Sequence, residues 1–248
     1  ITVRSSFLKV DPEHDYQPQL YTGDRMERFG YFVTVRAGYD PQYGLVESAR
    51  NRFANRHNIW QESHVRGANG AFVECTEDAQ CGGGRGSLCD MDYARTRLSR
   101  TGACTIPFRD RTVRQIPYFL STNFPADLEV DAQHLAEEWN SAFVETVASA
   151  REQECLANGG DAASCVGART LPDGDKVFVL CHSPVIAGDS PSCGPAGTTA
   201  DIGDLRYSMI GWVSDPHRSS PLGYGPSAAD PETGEIIIPA NRKITKTL

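Results

Sequence analysis

Nowhere do the 248 residues of this chain approach the roughly 20 consecutive apolar residues that a bilayer crossing requires, so no membrane span is expected. An excess of positive charge is missing too. Twenty-four Lys and Arg stand against 32 Asp and Glu, a net charge of −8. A general nucleic-acid binder needs a basic face to meet phosphates, so no nucleic-acid partner is expected. Neither a Gly-x-Ser-x-Gly elbow nor a Gly-x4-Gly-Lys phosphate loop occurs. Gly82-Gly-Gly-Arg-Gly86 is glycine-rich but lies between cysteines, without the strand and helix that a phosphate cradle needs. There is no repeat of fixed period and no low-complexity linker. No signal peptide is visible, and a start at Ile1 is the appearance that a removed signal would leave.

What the chain does have is cysteine. Cys75, Cys81, Cys89 and Cys104 form one group, and Cys155, Cys165, Cys181 and Cys193 a second. Both lie in Gly-, Asp- and Ser-rich sequence that reads as loops. Structural zinc sites use ligand pairs two to four residues apart. The closest pair here, Cys75 and Cys81, is separated by five residues. Disulfides are therefore favoured, with pairing expected inside each group. Oxidised loops suit an extracellular or cell-envelope compartment.

A hydrophobic content of 40% suffices for a packed core of one large domain or two small ones. The best boundary lies near residue 110. Residues 1–110 read as an extended N-terminal region carrying a Cys-rich insertion (75–104) held by covalent links. Residues 111–238 read as an α+β domain, and 239–248 as a polar, loosely held tail. Aromatics recur in the first 60 residues, Tyr16, Tyr21, Phe32, Tyr43, Phe53 and Trp60 among them. They either anchor an extended segment to its neighbour or make a protein-contact surface. Phe29–Arg36 predicts a strand, Tyr39–Gly44 a turn, and Ser48–Ile59 a short helix or exposed arm. The arginines between Arg95 and Arg114 read as a solvated face.

The clearest periodicity predicts a helix over about 131–153. Ala132, Leu135, Ala136, Trp139, Ala142, Phe143, Val147 and Ala150 form its apolar face. Short strands are predicted at Ile116–Leu120, Lys176–Leu180, Leu205–Val213 and Ile236–Ile238. The fold class is therefore α+β: a twisted mixed β-sheet packed on one long amphipathic helix, with disulfide-rich loop insertions and an extended N-terminal arm.

Four pieces, in order, carry a family resemblance. They are the strand at Ile116–Leu120, the long helix with Ala136 and Trp139 in its middle, a strand opening Asp204-Leu-Arg-Tyr207, and an edge segment followed by Asp230-Pro-Glu-Thr-Gly-Glu-Ile236. Residues 115–238 thereby resemble the N-terminal half of a metzincin-like, zincin-type protease domain of secreted bacterial proteins. Residues 75–104 resemble short Cys-rich modules of myxobacterial secreted proteins. The resemblance implies a substrate lying in β fashion along an edge strand, here Leu222, Gly223, Tyr224, Gly225, Pro226, Ser227 and Ala228. It implies catalytic zinc as well, yet no His-Glu-x-x-His occurs, and no two of the six histidines lie four apart.

No catalytic or metal residue is assigned, and no cofactor is expected. Zinc would enter only with ligands from a segment outside this sequence. Calcium at Asp201, Asp204 and Asp215 is weighed against plain solvated acids. Two readings follow. One is a secreted or envelope protein derived or cut from a metzincin-like protease and non-catalytic as it stands. The other is a structural or adhesive subunit of an extracellular filament or envelope assembly, joined to protein partners or copies of itself through strand and arm exchange.

Overall fold

The computed structural model describes residues 5, 7, 9, 15–28, 30–40, 42–82, 86–97, 99–171, 176–214, 223–225, 227–238 and 242–245. Its class is α+β, organised around a five-stranded sheet and one long helix. The N-terminal part holds a one-turn helix, α1 (Asp24–Arg28), and a hairpin of β1 (Val33–Asp40) and β2 (Gly44–Ala54). The Cys-rich part holds β3 (Glu74–Cys75), β4 (Cys89–Asp90), α2 (Met91–Thr96) and β5 (Gly102–Cys104), its three strands ordered β3-β5-β4. Then come β6 (Ile116–Leu120), α3 (Glu129–Ala157), α4 (Ala162–Val166), β7 (Phe178–Cys181) and β8 (Ser208–Val213). The final elements are β9 (Gly223–Tyr224), β10 (Ala228–Ala229), β11 (Ile236–Ile238) and β12 (Arg242–Thr245).

The main sheet runs β7-β6-β8-β12-β9. Its first four strands pair in parallel, and β9 closes one edge antiparallel to β12. A parallel sheet must be covered on both faces, and this one is. Ile116, Tyr118, Leu120, Phe178 and Ile210 meet Ala132 and Ala136 of α3. Phe119, Val179 and Met209 meet Val185, Cys193 and Ala200 on the other face. Residues 208–211 are consequently all buried although their side chains alternate between faces.

The helix is longer than its periodicity predicts, and its buried face is rotated. Buried positions are Ala132, Ala136, Val147, Ala148 and Arg151, whereas Ala142 and Trp139 are exposed. His134, on the same helix, is exposed. Two polar residues replace the expected apolar ones, each satisfying loose backbone groups. Asn140 Oδ1 accepts from the amides of Val177 and Phe178 at 2.8 and 3.0 Å. Arg151 donates to the carbonyls of Phe108, Thr170 and Arg111. Buried backbone groups must be paired somewhere, and a hydrophobicity pattern carries no record of that requirement.

The disulfides are Cys75–Cys89, Cys81–Cys104, Cys155–Cys165 and Cys181–Cys193, each within its group. They fit an oxidising compartment. Gly160 is dictated by one of them, because a Cβ there would lie 2.4 Å from Cys165 Sγ.

Several expectations are corrected. Ser48–Ile59 contributes most of its length to strand β2, and Phe53 within it is fully buried. The strand over Phe29–Arg36 begins at Val33, and the turn over Tyr39–Gly44 closes the hairpin. Asp204–Tyr207 is a turn rather than the start of a strand: Asp204 accepts from the Arg206 amide and pairs with its guanidinium at 2.6 Å. Within the tail expected to be loosely held, Arg242–Thr245 forms β12 between β8 and β9. Of the arginines between 95 and 114, read as a solvated face, Arg95, Arg97, Arg100, Arg109 and Arg114 are exposed, and only Arg111 departs from that reading. Arg111 is buried, donating to the Ile106 carbonyl and Gln17, while Arg95, Arg109 and Arg114 each face a carboxylate.

The N-terminal aromatics divide. Tyr16, Tyr21, Phe53 and Trp60 are buried, whereas Tyr31, Phe32 and Tyr43 are exposed. Contacts cross the boundary expected near residue 110. Trp60 bridges to Val113 and packs with Val147 of α3. The Cys-rich module is held by more than its disulfides. His64, buried beneath it, lies with Nδ1 2.6 Å from Asp15 Oδ1 and Nε2 3.1 Å from Asp90 Oδ2, against the rings of Phe72 and Tyr93. This ties residue 15 to the cap of α2, where Asp90 Oδ1 accepts from the Tyr93 amide.

Candidate functional site

The segment singled out as a binding edge contributes to two sheets. Gly223 and Tyr224 form β9 at the sheet edge, opposite Ile244 and Lys243. Gly225 and Ser227 are exposed, and Ala228 pairs with Ile238 in the β10–β11 ribbon. Leu222 and Pro226 lie outside the described residues. So do Asp215, His14 and His217.

The following turn, Asp230–Gly234, belongs to the last of the four pieces on which the expected resemblance rests. Asp230 is buried, and its Oδ1 accepts from the amides of Glu232 and Thr233 at 2.7 and 3.0 Å. Pro231 follows with its fixed φ, and Gly234 takes φ +77°. Gly234 also abuts β2: a Cβ there would lie 2.8 Å from the Ala54 carbonyl oxygen. Beyond that contact the chains pair, the Arg56 amide donating to Gly234 and the Ile236 amide to Arg56. The turn is thus a socket for the N-terminal region rather than a solvent loop. Burial raises the Glu235 carboxyl above its usual range, against the pull of Asn58 and of Arg114 at 3.9 Å.

A second site lies at the opposite edge of the sheet, and the sequence reading missed it. A groove of about 500 Å³ runs between α3, β7 and the disulfide loop 181–193. His182 stands in its wall with Nδ1 2.7 Å from Asp189 Oδ1 and Nε2 2.7 Å from Glu129 Oε1. Asp189 also accepts from the His182 and Ile186 amides. Burial alone would lower the His182 pKa, but the bonds to Asp189 and Glu129 outweigh it and raise it. At Asp189 burial would raise the pKa, but the bonds from the His182 ring and from the Ile186 and His182 amides outweigh it and lower it. The one available signal was local: a His directly after Cys181, with Asp189 inside the same disulfide loop.

Among the described residues lining this groove, no hydroxyl is bonded to His182. Its serine hydroxyls point elsewhere, Ser190 to Gln115 and Ser141 to the Glu137 carbonyl. A hydrogen-bonded nucleophile and base are what such chemistry requires.

Zinc, implied by the resemblance, does not fit the described residues. Their closest group of metal-ligating atoms is the sulfurs of Cys75, Cys81 and Cys104, all held in disulfides. Both ring nitrogens of His64 and of His182 face carboxylates. His57 is packed edge-on against Phe143, and burial pushes its pKa down to about 4. Asp204, a calcium candidate, is taken up by Arg206. Compared with known proteins, the chain matches no family model, no curated protein and no solved structure.

Proposed function

We propose that this chain is a protein of metzincin-like descent, exported to the extracellular space or cell envelope, that binds extended protein segments at its sheet edge and does not hydrolyse them. One observation carries the reading. The resembling pieces fall in sequence order on β6, α3, the approach to β8, and β9 through β11. Of these, β6, β8 and β9 belong to one sheet, whose helix-covered face meets α3 and whose antiparallel edge is β9. An antiparallel edge strand is a template for a peptide added by main-chain hydrogen bonds. The absence of any His-Glu-x-x-His supports the non-catalytic part, since hydrolysis by zinc needs a metal with an open position and a base.

The test is NMR titration of the isotope-labelled 248-residue chain with extended, apolar peptides, alongside metal analysis. The expected result is shifts concentrated at residues 223–228 with far less than stoichiometric zinc. Shifts absent from that segment overturn the binding edge, and one tightly held zinc per chain overturns the non-catalytic assignment. A reading frame that continues past Leu248 into a His-Glu-x-x-His helix would restore the protease activity to the parent protein.

A further inference from the structure

The β1–β2 hairpin has one covered edge and, among the described residues, one edge with no backbone partner. On the far side of β2, the Tyr21 amide donates to Arg52 and the Ala54 amide to Gln19. The facing residues are Val33 with Ala54, Thr34 with Phe53, Val35 with Arg52 and Arg36 with Asn51. The Asn55 amide donates to the Phe32 carbonyl. Antiparallel ladders alternate bonded and non-bonded pairs, so Phe32, Thr34 and Arg36 turn their backbone groups toward β2. Val33 and Val35 turn theirs outward.

That outward edge is bounded at both ends. The Tyr31 amide is taken by the Tyr21 hydroxyl at 3.3 Å, and a register shift between Arg36 and Gly38 bends the strand away. Between those limits the edge has no Pro, no Lys and no bulge, the usual protections against edge pairing. Its apolar side chains are exposed, Phe32 at 83%, Val33 at 36% and Val35 at 46%, while Thr34 and Arg36 are half-buried.

We propose that β1 is a homodimer edge, with two copies pairing antiparallel about a two-fold axis at Thr34. The self-complementarity of the edge selects a second copy as the partner. A two-fold at Thr34 sets Val33 opposite Val35 of the second copy and Val35 opposite its Val33. Every outward donor of one chain then meets an outward acceptor of the other. The same register sets Phe32 across from Arg36 of the second copy, twice. That brings an exposed ring over the stem of an arginine whose guanidinium is held 3.5 Å from Glu232 in its own chain, an apolar contact that leaves the ion pair in place. The bulge and the Tyr21 hydroxyl keep the ladder short, so it closes as a dimer instead of extending. The inference does not depend on protease descent. It gives the assembly reading a defined joint.

Sedimentation equilibrium on the full chain, up to about 100 µM, tests it in the range where so small an interface associates. Wild type is expected to dimerise. Val33→Lys with Val35→Lys sets like charges opposite each other and is expected to weaken dimerisation at least tenfold. Val33→Lys with Val35→Glu sets opposite charges across the same two-fold and is expected to restore it. Val35→Pro removes only an outward amide, leaves the bonds to β2 intact, and is expected to give monomer with an unchanged circular dichroism spectrum. A wild type that stays monomeric overturns the proposal. So does a Lys/Glu variant as monomeric as the Lys/Lys variant.

Discussion

Replacing His64 by Gln should lower stability by about 3–5 kcal/mol, the cost of removing one partner from a buried charge pair. The figure needs little discount for solvent, because the His64 side chain is fully buried and those of Asp15 and Asp90 are 10% and 5% exposed. Glutamine carries no charge to offset the two carboxylates left facing each other. Arg111, buried nearby and lowered to about 10 by its own desolvation, is a further positive charge acting on both. For a chain of this size the loss corresponds to roughly 6–20 °C in Tm.

The pH dependence carries a sign. Burial would lower the His64 pKa, but the hydrogen bonds and charges of Asp15 and Asp90 raise it above 6.5. Its stabilisation is therefore complete below about pH 6.5 and fades as pH rises through the folded-state value. Asp15 behaves oppositely. Burial would raise its pKa, but His64 and the Ser63 amide lower it, so its share is present above 3.8 and is lost in stronger acid. His57, pushed down to about 4 by burial, adds stability above pH 6.5 that disappears toward pH 4. That contribution is common to wild type and variant and cancels in their difference. The assay is urea denaturation of both proteins from pH 5 to pH 9, with the disulfides intact. The difference should be largest near pH 5–6 and shrink toward pH 9. A difference that is flat with pH, or below about 1 kcal/mol throughout, would refute the buried Asp15–His64–Asp90 triad.

Two further outcomes follow from single contacts. Asn140→Leu leaves the Val177 and Phe178 amides without their acceptor. It should cost about 2–4 kcal/mol, read by chemical denaturation, with faster hydrogen exchange at those two amides. Gly234→Ala combines an unfavourable positive φ with a contact 2.8 Å from the Ala54 carbonyl. It should cost about 1–3 kcal/mol, and limited proteolysis should then cut first where residues 55–57 leave the turn.

Local chemistry made much of the architecture legible. The helix centred on residues 131–153, the strands at 116–120 and 236–238, and the within-group disulfides all follow from short-range pattern. Reading Ser48–Ile59 as helix or arm failed because Arg and Asn dominate it; its strand is held by pairing to β1 and by burial of Phe53, both long-range effects. The rotation of the α3 face failed for a related reason. Asn140 and Arg151 point inward to satisfy backbone groups supplied by residues 108–111, 170 and 177–178.

By itself, the sequence determined composition, charge, oxidation chemistry and the short-period elements, because each depends on residues within a turn or two of one another. It also determined that no zinc motif is present, since that motif is a spacing. Only the tertiary structure decided which charged groups are neutralised, which polar residues face inward and which strand edge has no backbone partner among the described residues. Those properties belong to groups brought together from distant parts of the chain: Asp15 with His64, Glu129 with His182, Ala54 with Gly234. Burial and pairing energies at such contacts arise from the dielectric and geometry of the assembled site, which no local stretch of residues specifies.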